Sequence, residues 1–324
     1  MTTQEPVRIF VGTDRSQMLG VKVLEYSCKR HTDLDVSVIP MIDLELPIPK
    51  DPRNRQRTGF SFSRFAIPQL AGYRGRAIYA DADMQVFKDI REIWEMPFDG
   101  AKVICQEELP DHIAKMSKSA APDKRTKQCS VMVLDCESLD WDPVKIVNGL
   151  DNDYDYAELM QQLCILDETD VNYNLPIRWN SLEHYDESTC LIHYTDMPTQ
   201  PWVNIDNPNG WLFTNEIRRM LKDGVVTKDE LIAEIGNGYV RPSFITELKM
   251  VSDSRELSAD QIHQLNREDV KKGFVAHKEL NELRRQFKLE IREFEKSLKG
   301  TEPQKQGLAQ LASNLVNKVS GKRA

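Results

Sequence analysis

The sequence predicts an α/β fold on an open sheet, and three observations predict it. A βαβ unit is legible at the start: Val7-Arg-Ile-Phe-Val11 reads as a strand, about Gln17 to Arg30 as an amphipathic helix, and Val36 to Ile39 as a second strand. A further apolar run, Ala77 to Ala80, reads as a buried central strand with Asp81 and Asp83 at its C-terminal end, which is where open α/β sheets bind ligands. Two more apolar segments of strand length follow, Lys102-Val-Ile-Cys105 and Ser130-Val-Met-Val-Leu-Asp135.

The first strand ends in the turn Gly12-Thr13-Asp14, so Thr13 and Asp14 fall in the crevice at its carboxyl end. Neither a GxGxxG nor a GxxxxGK[ST] pattern is present, so a diphosphate bound here needs a partner other than a glycine-rich loop. Residues 47–63, PIPKDPRNRQRTGFSFS, read as a long surface loop beside the crevice, and Arg53, Arg55 and Arg57 either attract an anion or are solvated. Ser63 to Leu70 reads as a short helix leading to the central strand, and residues 106–128 as a polar loop. Pro143 to Leu150 and Tyr156 to Leu163 read as helices separated by Asp151-Asn-Asp-Tyr-Asp155. Asn174 to Asn180 is extended, and Cys190-Leu-Ile-His193-Tyr194 is a buried strand running into a segment made irregular by Pro198 and Pro201.

Beyond Gly236-Asn-Gly238 the character changes. Thr227-x-x-Glu230 is a capping box, and Arg241-Pro-Ser closes the first domain. The expected division is a domain over 1–245 and a helical extension over 246–324. Ser258 to Lys299 has a helical pattern, with Leu280, Leu283, Phe287, Ile291, Phe294 and Leu298 on one face that packs on its own domain or pairs with a second copy. Gly300-Thr-Glu-Pro303 breaks this helix. The last segment, with Leu308, Leu311, Leu315 and Val319 among Lys305, Lys318, Lys322 and Arg323, is a basic amphipathic helix that either lies on an anionic membrane or is a solvated tail.

Composition narrows the function classes. The 324 residues are 40% hydrophobic and 8% aromatic, enough for a sizeable core. No apolar run approaches the roughly 20 residues of a membrane span, and MTTQEPVRIF is no signal peptide, so the expectation is a cytoplasmic protein, with the membrane's inner face as the surface the tail would meet. Six cysteines without CxxC spacing argue against a zinc ribbon or a disulfide framework and are expected reduced and buried. The net charge of -8 speaks against nucleic acid as a partner. It is an average over unlike parts, because Lys271 to Ala324 hold thirteen Lys/Arg against six Asp/Glu.

The chemistry centres on Asp81, Asp83 and His193. Residues i and i+2 of an extended backbone point the same way, so the two carboxylates can reach one hard cation while Ala82 faces away. His193, near a strand terminus, can add a borderline nitrogen ligand, although a lone strand histidine also fits a hydrogen-bonded core position. Asp-x-Asp in an acidic chain also fits a solvated turn.

Five segments in order, IFVGTD (9–14), FSRFAIPQLAGYRGRAIYADADM (62–84), QCSVMVLD (128–135), LPIRWN (175–180) and HYTDMPTQPW (193–202), resemble glycosyltransferase family 8 over roughly Val7 to Pro242. The resemblance implies a GT-A fold, with a mostly parallel central sheet flanked by helices, here followed by a C-terminal helical extension. It implies a retaining transferase that moves a sugar from a UDP-sugar to an acceptor hydroxyl on a glycan, lipid-linked or protein acceptor, in cell-surface glycan synthesis. It also implies manganese or magnesium on Asp81, Asp83 and His193, and nucleotide-sugar contacts at Val11, Thr13, Asp14, Arg64, Asp81, Ala82, Asp83 and Gln200, with Asp155 and Gln128 at catalytic positions. The chain departs from the family pattern at Asp196, where a glycine is common, and at Gln200, where a lysine would contact the diphosphate. An arginine of the 53–57 loop is expected to substitute. Two other readings stand beside this one. An Asp-x-Asp phosphatase would need Thr or Val where Gln85 stands, and a catalytically idle relative would act as a scaffold through its C-terminal helices; on any of the readings those helices are the expected surface for a homo-oligomer.

Overall fold

The computed structural model describes residues 5–107 and 127–301. The strands are β1 (Val7–Gly12), β2 (Val36–Met41), β3 (Arg76–Asp81), β4 (Met84–Val86), β5 (Val103–Glu107), β6 (Lys127–Asp135), β7 (Val171–Asn172), β8 (Ser181–Leu182) and β9 (Leu191–His193). The helices are α1 (Met18–Arg30), α2 (Ile67–Leu70), α3 (Arg91–Trp94), α4 (Pro143–Gly149), α5 (Tyr156–Gln162), α6 (Gly210–Lys222), α7 (Lys228–Gly236), α8 (Phe244–Met250), α9 (Ala259–Lys271) and α10 (Lys278–Thr301).

Six strands form one sheet in the order β2-β1-β3-β6-β5-β7. The β1–β2, β1–β3 and β5–β7 pairs are parallel, and β6 runs against both its neighbours, so the expected mostly parallel sheet with flanking helices is observed. Its strands are apolar on both sides because both faces are covered. Ile78 and Ala80 of β3 join Ile9, Val11, Val21 and Leu24 in one core, while Ala77 and Tyr79 join Phe10, Phe65, Met132 and Leu134 in another. A third core, around Trp202, Phe213, Ile217 and Phe244, packs α6 and α8 onto α1 and β9.

Register determines what meets at the ligand edge. Gly12 pairs with Asp81, and Ala80 with Val131, so the carboxyl ends of β1 and β3 share that edge with the amino end of the reversed β6. A second, three-stranded sheet, β4-β9-β8, sits beside it, with Met84 paired to His193. That pairing carries the imidazole back to the Asp-x-Asp. Gly20 allows the other close approach, since a Cβ there would lie 2.5 Å from the Ala82 carbonyl oxygen. Helix α1 can therefore press directly on the backbone between the two aspartates.

Several expectations change. The polar loop expected over 106–128 is shorter, because β5 runs to Glu107 and β6 starts at Lys127; residues 108–126 lie outside the described residues. Ser258 to Lys299 is two helices rather than one, broken where Gly273 and His277 take left-handed backbone angles (φ 67° and 50°). On α10 the covered stripe is Leu280, Arg284, Phe287, Ile291 and Phe294, and the expected Leu283 and Leu298 are exposed. None of the six cysteines is in a disulfide; five are buried, but Cys164 is exposed. Arg241 and Ser243, before the expected boundary at 245, bond to Glu247 and Asp269 beyond it, and both ends of the Arg241–Glu247 pair are buried. The basic segment after residue 301 lies outside the described residues. No helix among the described residues is long and apolar enough to cross a membrane.

Candidate metal and donor site

A cleft of about 850 Å³ opens at the ligand edge of the sheet. Asp81 ends β3 and Asp83 precedes β4, while His193 ends β9. The three offer one ligand atom each within 4.8 Å of one another. His193 Nε2 is 3.0 Å from Asp83 Oδ1 and 3.8 Å from Asp81 Oδ2. The other ring nitrogen, Nδ1, donates to Asn180 Oδ1 at 3.1 Å, and Asn180 is held in turn by Gln106 Oε1 at 3.1 Å and Ser130 Oγ at 3.0 Å. This leaves the Nε2 lone pair facing the carboxylates, the arrangement a metal-ligating histidine needs.

The carboxylates are positioned as firmly. Tyr79 Oη donates to Asp81 Oδ1 at 2.5 Å, and Arg64 Nη2 lies 3.8 Å from the same oxygen. Arg64 is itself fixed, donating to the Ser61 and Cys129 carbonyls and to Tyr79 Oη, with its guanidinium 4.4 Å from the Tyr79 ring centroid. Gln200 Nε2 donates to Asp83 Oδ2 at 2.8 Å and to the Tyr194 carbonyl at 3.0 Å. With the imidazole neutral, Asp83 Oδ1 is buried with no hydrogen-bond partner, its nearest polar neighbour being His193 Nε2 at 3.0 Å. A buried carboxylate oxygen left bare costs on the order of 1–3 kcal/mol or more unless a cation meets it. Burial pushes the Asp81 carboxyl above its ordinary pKa, and the nearby Asp83 charge adds to this, against the opposing pull of Arg64 and His193. Burial alone would lower the His193 pKa, but Asp83, Asp81 and Glu183 outweigh it and raise it. A divalent cation relieves the repulsion between two carboxylates placed this close. Oxygen, oxygen and imidazole nitrogen suit manganese or magnesium, so the residues present fit such an ion.

The expected donor residues divide into two groups. Asp81, Asp83, His193, Arg64, Asp155 and Gln200 line the cleft. Val11 and Ala82 are buried in the core, Thr13 is buried, and Asp14 accepts from the Ser16 amide at 2.8 Å as the cap of a 3₁₀ turn; none of the four lines the cleft. Gln128 is buried behind Cys129 and Ser130, which do line it, and its Nε2 is unpartnered. Asp155 caps α5, accepting from the Glu158 amide at 2.9 Å in a reciprocal capping box. The Asp-x-x-Glu spacing was in the sequence as a cap signal.

The loop arginines are engaged by the protein itself. Arg53 pairs with Asp51 and lies over the Phe294 ring, and Arg55 pairs with Glu290 of α10 at 2.6 Å. Arg57 is stacked between Tyr156 at 4.5 Å and Phe287 at 5.2 Å. Sequence reasoning missed Tyr79, Asn180 and Arg284 at this site. Asn180 was legible only as the end of an extended segment, and Arg284 only as a polar interruption of an apolar stripe.

Residues 21–132 match the model of glycosyl transferase family 8. The resemblance to that family read from the sequence therefore holds, and the matched segment contains Asp81 and Asp83; His193 and Gln200 lie beyond it. Protein CDI of Arabidopsis thaliana is 30% identical over 137 residues, covering 40% of this chain and 53% of that protein, so the match spans about half of its length. Among solved structures, the bifunctional glycosyltransferase WbbM aligns over 67% of this chain and 50% of its own, with a TM-score of 0.48 and 15% identity. The galactosyltransferase LgtC, in complex with donor and acceptor sugar analogs, aligns over 65% and 95%, with a TM-score of 0.45 and 14% identity. The glycosyltransferase GlyE of Streptococcus pneumoniae TIGR4 aligns over 69% and 65%, with a TM-score of 0.44 and 13% identity.

Proposed function

We propose that the protein is a metal-dependent retaining glycosyltransferase that moves a sugar from a UDP-sugar to an acceptor hydroxyl. The observation that supports this most is the bare Asp83 Oδ1 facing His193 Nε2 at the floor of a cleft large enough for a nucleotide sugar. Asp81, Asp83 and His193 would hold the cation, and Asn180, Tyr79 and Gln200 would orient them. When bound, a divalent ion offsets the negative charge that develops on the leaving diphosphate. Asp155, on the N-cap of α5 at the cleft wall, faces the space where the donor sugar would lie, and Gln128 would act only through Cys129 and Ser130. As the anomeric C–O bond to the diphosphate breaks, the acceptor oxygen forms the new bond on the same face of the sugar. The acceptor proton passes to the departing phosphate oxygen. Arg64 has little freedom to move toward substrate, so its contribution is a fixed positive field beside Asp81.

The test is a panel of nucleotide sugars incubated with the full chain and manganese, with release of the nucleotide as readout. We expect UDP release from at least one UDP-sugar, abolished by chelation and by Asp83→Asn. A panel with no metal-dependent release and no binding of UDP would sink this reading in favour of a scaffold role.

A further inference from the structure

From the charge balance of the cleft we infer that Arg284, on the C-terminal helix α10, binds the diphosphate of the nucleotide. This rests on the nucleotide-dependent reading above and extends it to a residue far outside the segment that carries the family match.

Arg284 is the one member of the covered stripe of α10 that is charged, flanked by Leu280, Phe287, Ile291 and Phe294. An amphipathic helix that only needed to pack would place an apolar residue there. Its guanidinium is half-buried and lines the cleft, yet it forms no ion pair among the described residues. Its hydrogen-bond contact is the Met197 thioether sulfur at 3.1 Å, a weak acceptor for so strong a donor. Burial accordingly lowers its pKa with no opposing carboxylate.

The other guanidiniums that line the cleft are committed. Arg53 is paired with Asp51, Arg64 with Tyr79 and the Cys129 carbonyl, and Arg57 is held between two rings while donating to the Arg53 carbonyl at 2.8 Å. Asp51, Asp81, Asp83 and Asp155 line the same cleft. A diphosphate brought in beside two aspartates carries more negative charge than one divalent ion neutralises. Gln200, uncharged and turned onto Asp83, does not make up the difference. A half-buried guanidinium without a carboxylate partner does, and its planar fork suits phosphate oxygens.

Its position is fixed from both sides. About two turns toward the N-terminus, just before α10 begins, His277 Nε2 meets the Met197 carbonyl at 3.1 Å, so the helix start is fastened to the loop that also carries Gln200. One turn onward, Phe287 stacks on Arg57. Arg284 therefore hangs between two anchors over the segment that follows β9.

The experiment is titration of UDP into the full chain with manganese, for the unmodified protein, Arg284→Met and Arg284→Lys, with uridine as the phosphate-free ligand and manganese alone as the site control. Methionine keeps the apolar stem that packs the helix, so folding is preserved while the charge is lost. We expect Arg284→Met to weaken UDP binding by roughly 10- to 100-fold, the usual worth of a charge-assisted phosphate contact. Uridine affinity and manganese affinity stay within about twofold, and Arg284→Lys recovers part of the loss. An Arg284→Met protein that binds UDP as tightly as the unmodified one, or that loses uridine and UDP equally, overturns the inference while leaving the transferase reading standing. An unmodified protein that binds no UDP with manganese overturns both.

Discussion

At His193 a single ring carries two jobs, and they can be separated by mutation. Nε2 faces the carboxylates, and Nδ1 is held by Asn180. Asn180→Ala should lower manganese affinity about 10- to 100-fold, because the ring loses the partner that fixes its tautomer and orientation. Asn180→Asp keeps an acceptor and should lose much less. Equal manganese titrations for Ala and wild type would mean that the ring is held by packing alone. Cysteine chemistry gives a second residue-scale prediction. Burial pushes the Cys28 and Cys136 thiols up to about 12, and the thiolate is the reactive form, so near pH 8 both remain protonated and inert. Exposed Cys164 should be alkylated first in the native protein, with the others following only on unfolding. Mass spectrometry of the labelled peptides decides, and early labelling of Cys28 would contradict the packing of α1.

At the scale of elements, the contact of α1 with the Asp-x-Asp backbone sets two effects of Gly20→Ala against each other. Alanine in a helix interior is favoured over glycine by about 1 kcal/mol. The added Cβ would, however, sit 2.5 Å from a backbone oxygen that has no flexible end to give way. Overpacking of this kind costs about 1–3 kcal/mol, so the net expectation is destabilisation, with weaker manganese binding as Asp81 and Asp83 move apart. A raised Tm with unchanged metal affinity would show that α1 does not brace the site. The same elements show what the sequence could and could not tell. Apolar runs placed β1, β3, β5, β6 and the strand of His193, because buried strands announce themselves by composition. The reversed direction of β6 was invisible, since direction lives in pairing rather than in pattern. The split of α9 from α10 went unseen because His277 in a left-handed conformation carries no local signal comparable to a glycine, and Gly273 alone reads as tolerable in a helix. Asp81, Asp83 and His193 were legible by residue type as a set that could hold a cation, and they do lie together. The actual partner of Asp83, Gln200, was legible only as a missing lysine.

For the molecule as a whole, the cleft is assembled from three parts well separated in sequence, the 50–58 loop, α5 and α10. Asn54 ties the loop to α5, donating to the Leu150 carbonyl at 2.6 Å and accepting from the Tyr156 amide at 3.2 Å. Helix α10 then closes over the loop through Arg55–Glu290 and through Phe287 and Phe294 against Arg57 and Arg53. These contacts are unequal. Both partners of the Arg55–Glu290 pair are solvated, at 33% and 52% exposure, so water and salt reduce its worth to about 0–1 kcal/mol. The Phe287 ring combines apolar burial with a stacked guanidinium, for which about 1–3 kcal/mol is reasonable. Phe287→Ala should therefore release residues 278–301 to hydrogen exchange and protease far more than Glu290→Ala does. The two sheets that hold Asp81, Asp83 and His193 do not depend on that helix, so manganese affinity without nucleotide should be unchanged in both variants. If Glu290→Ala loosens the helix as much as Phe287→Ala, the closure is electrostatic and will weaken with added salt; if Phe287→Ala lowers manganese affinity, α10 braces the metal site as well as covering the cleft.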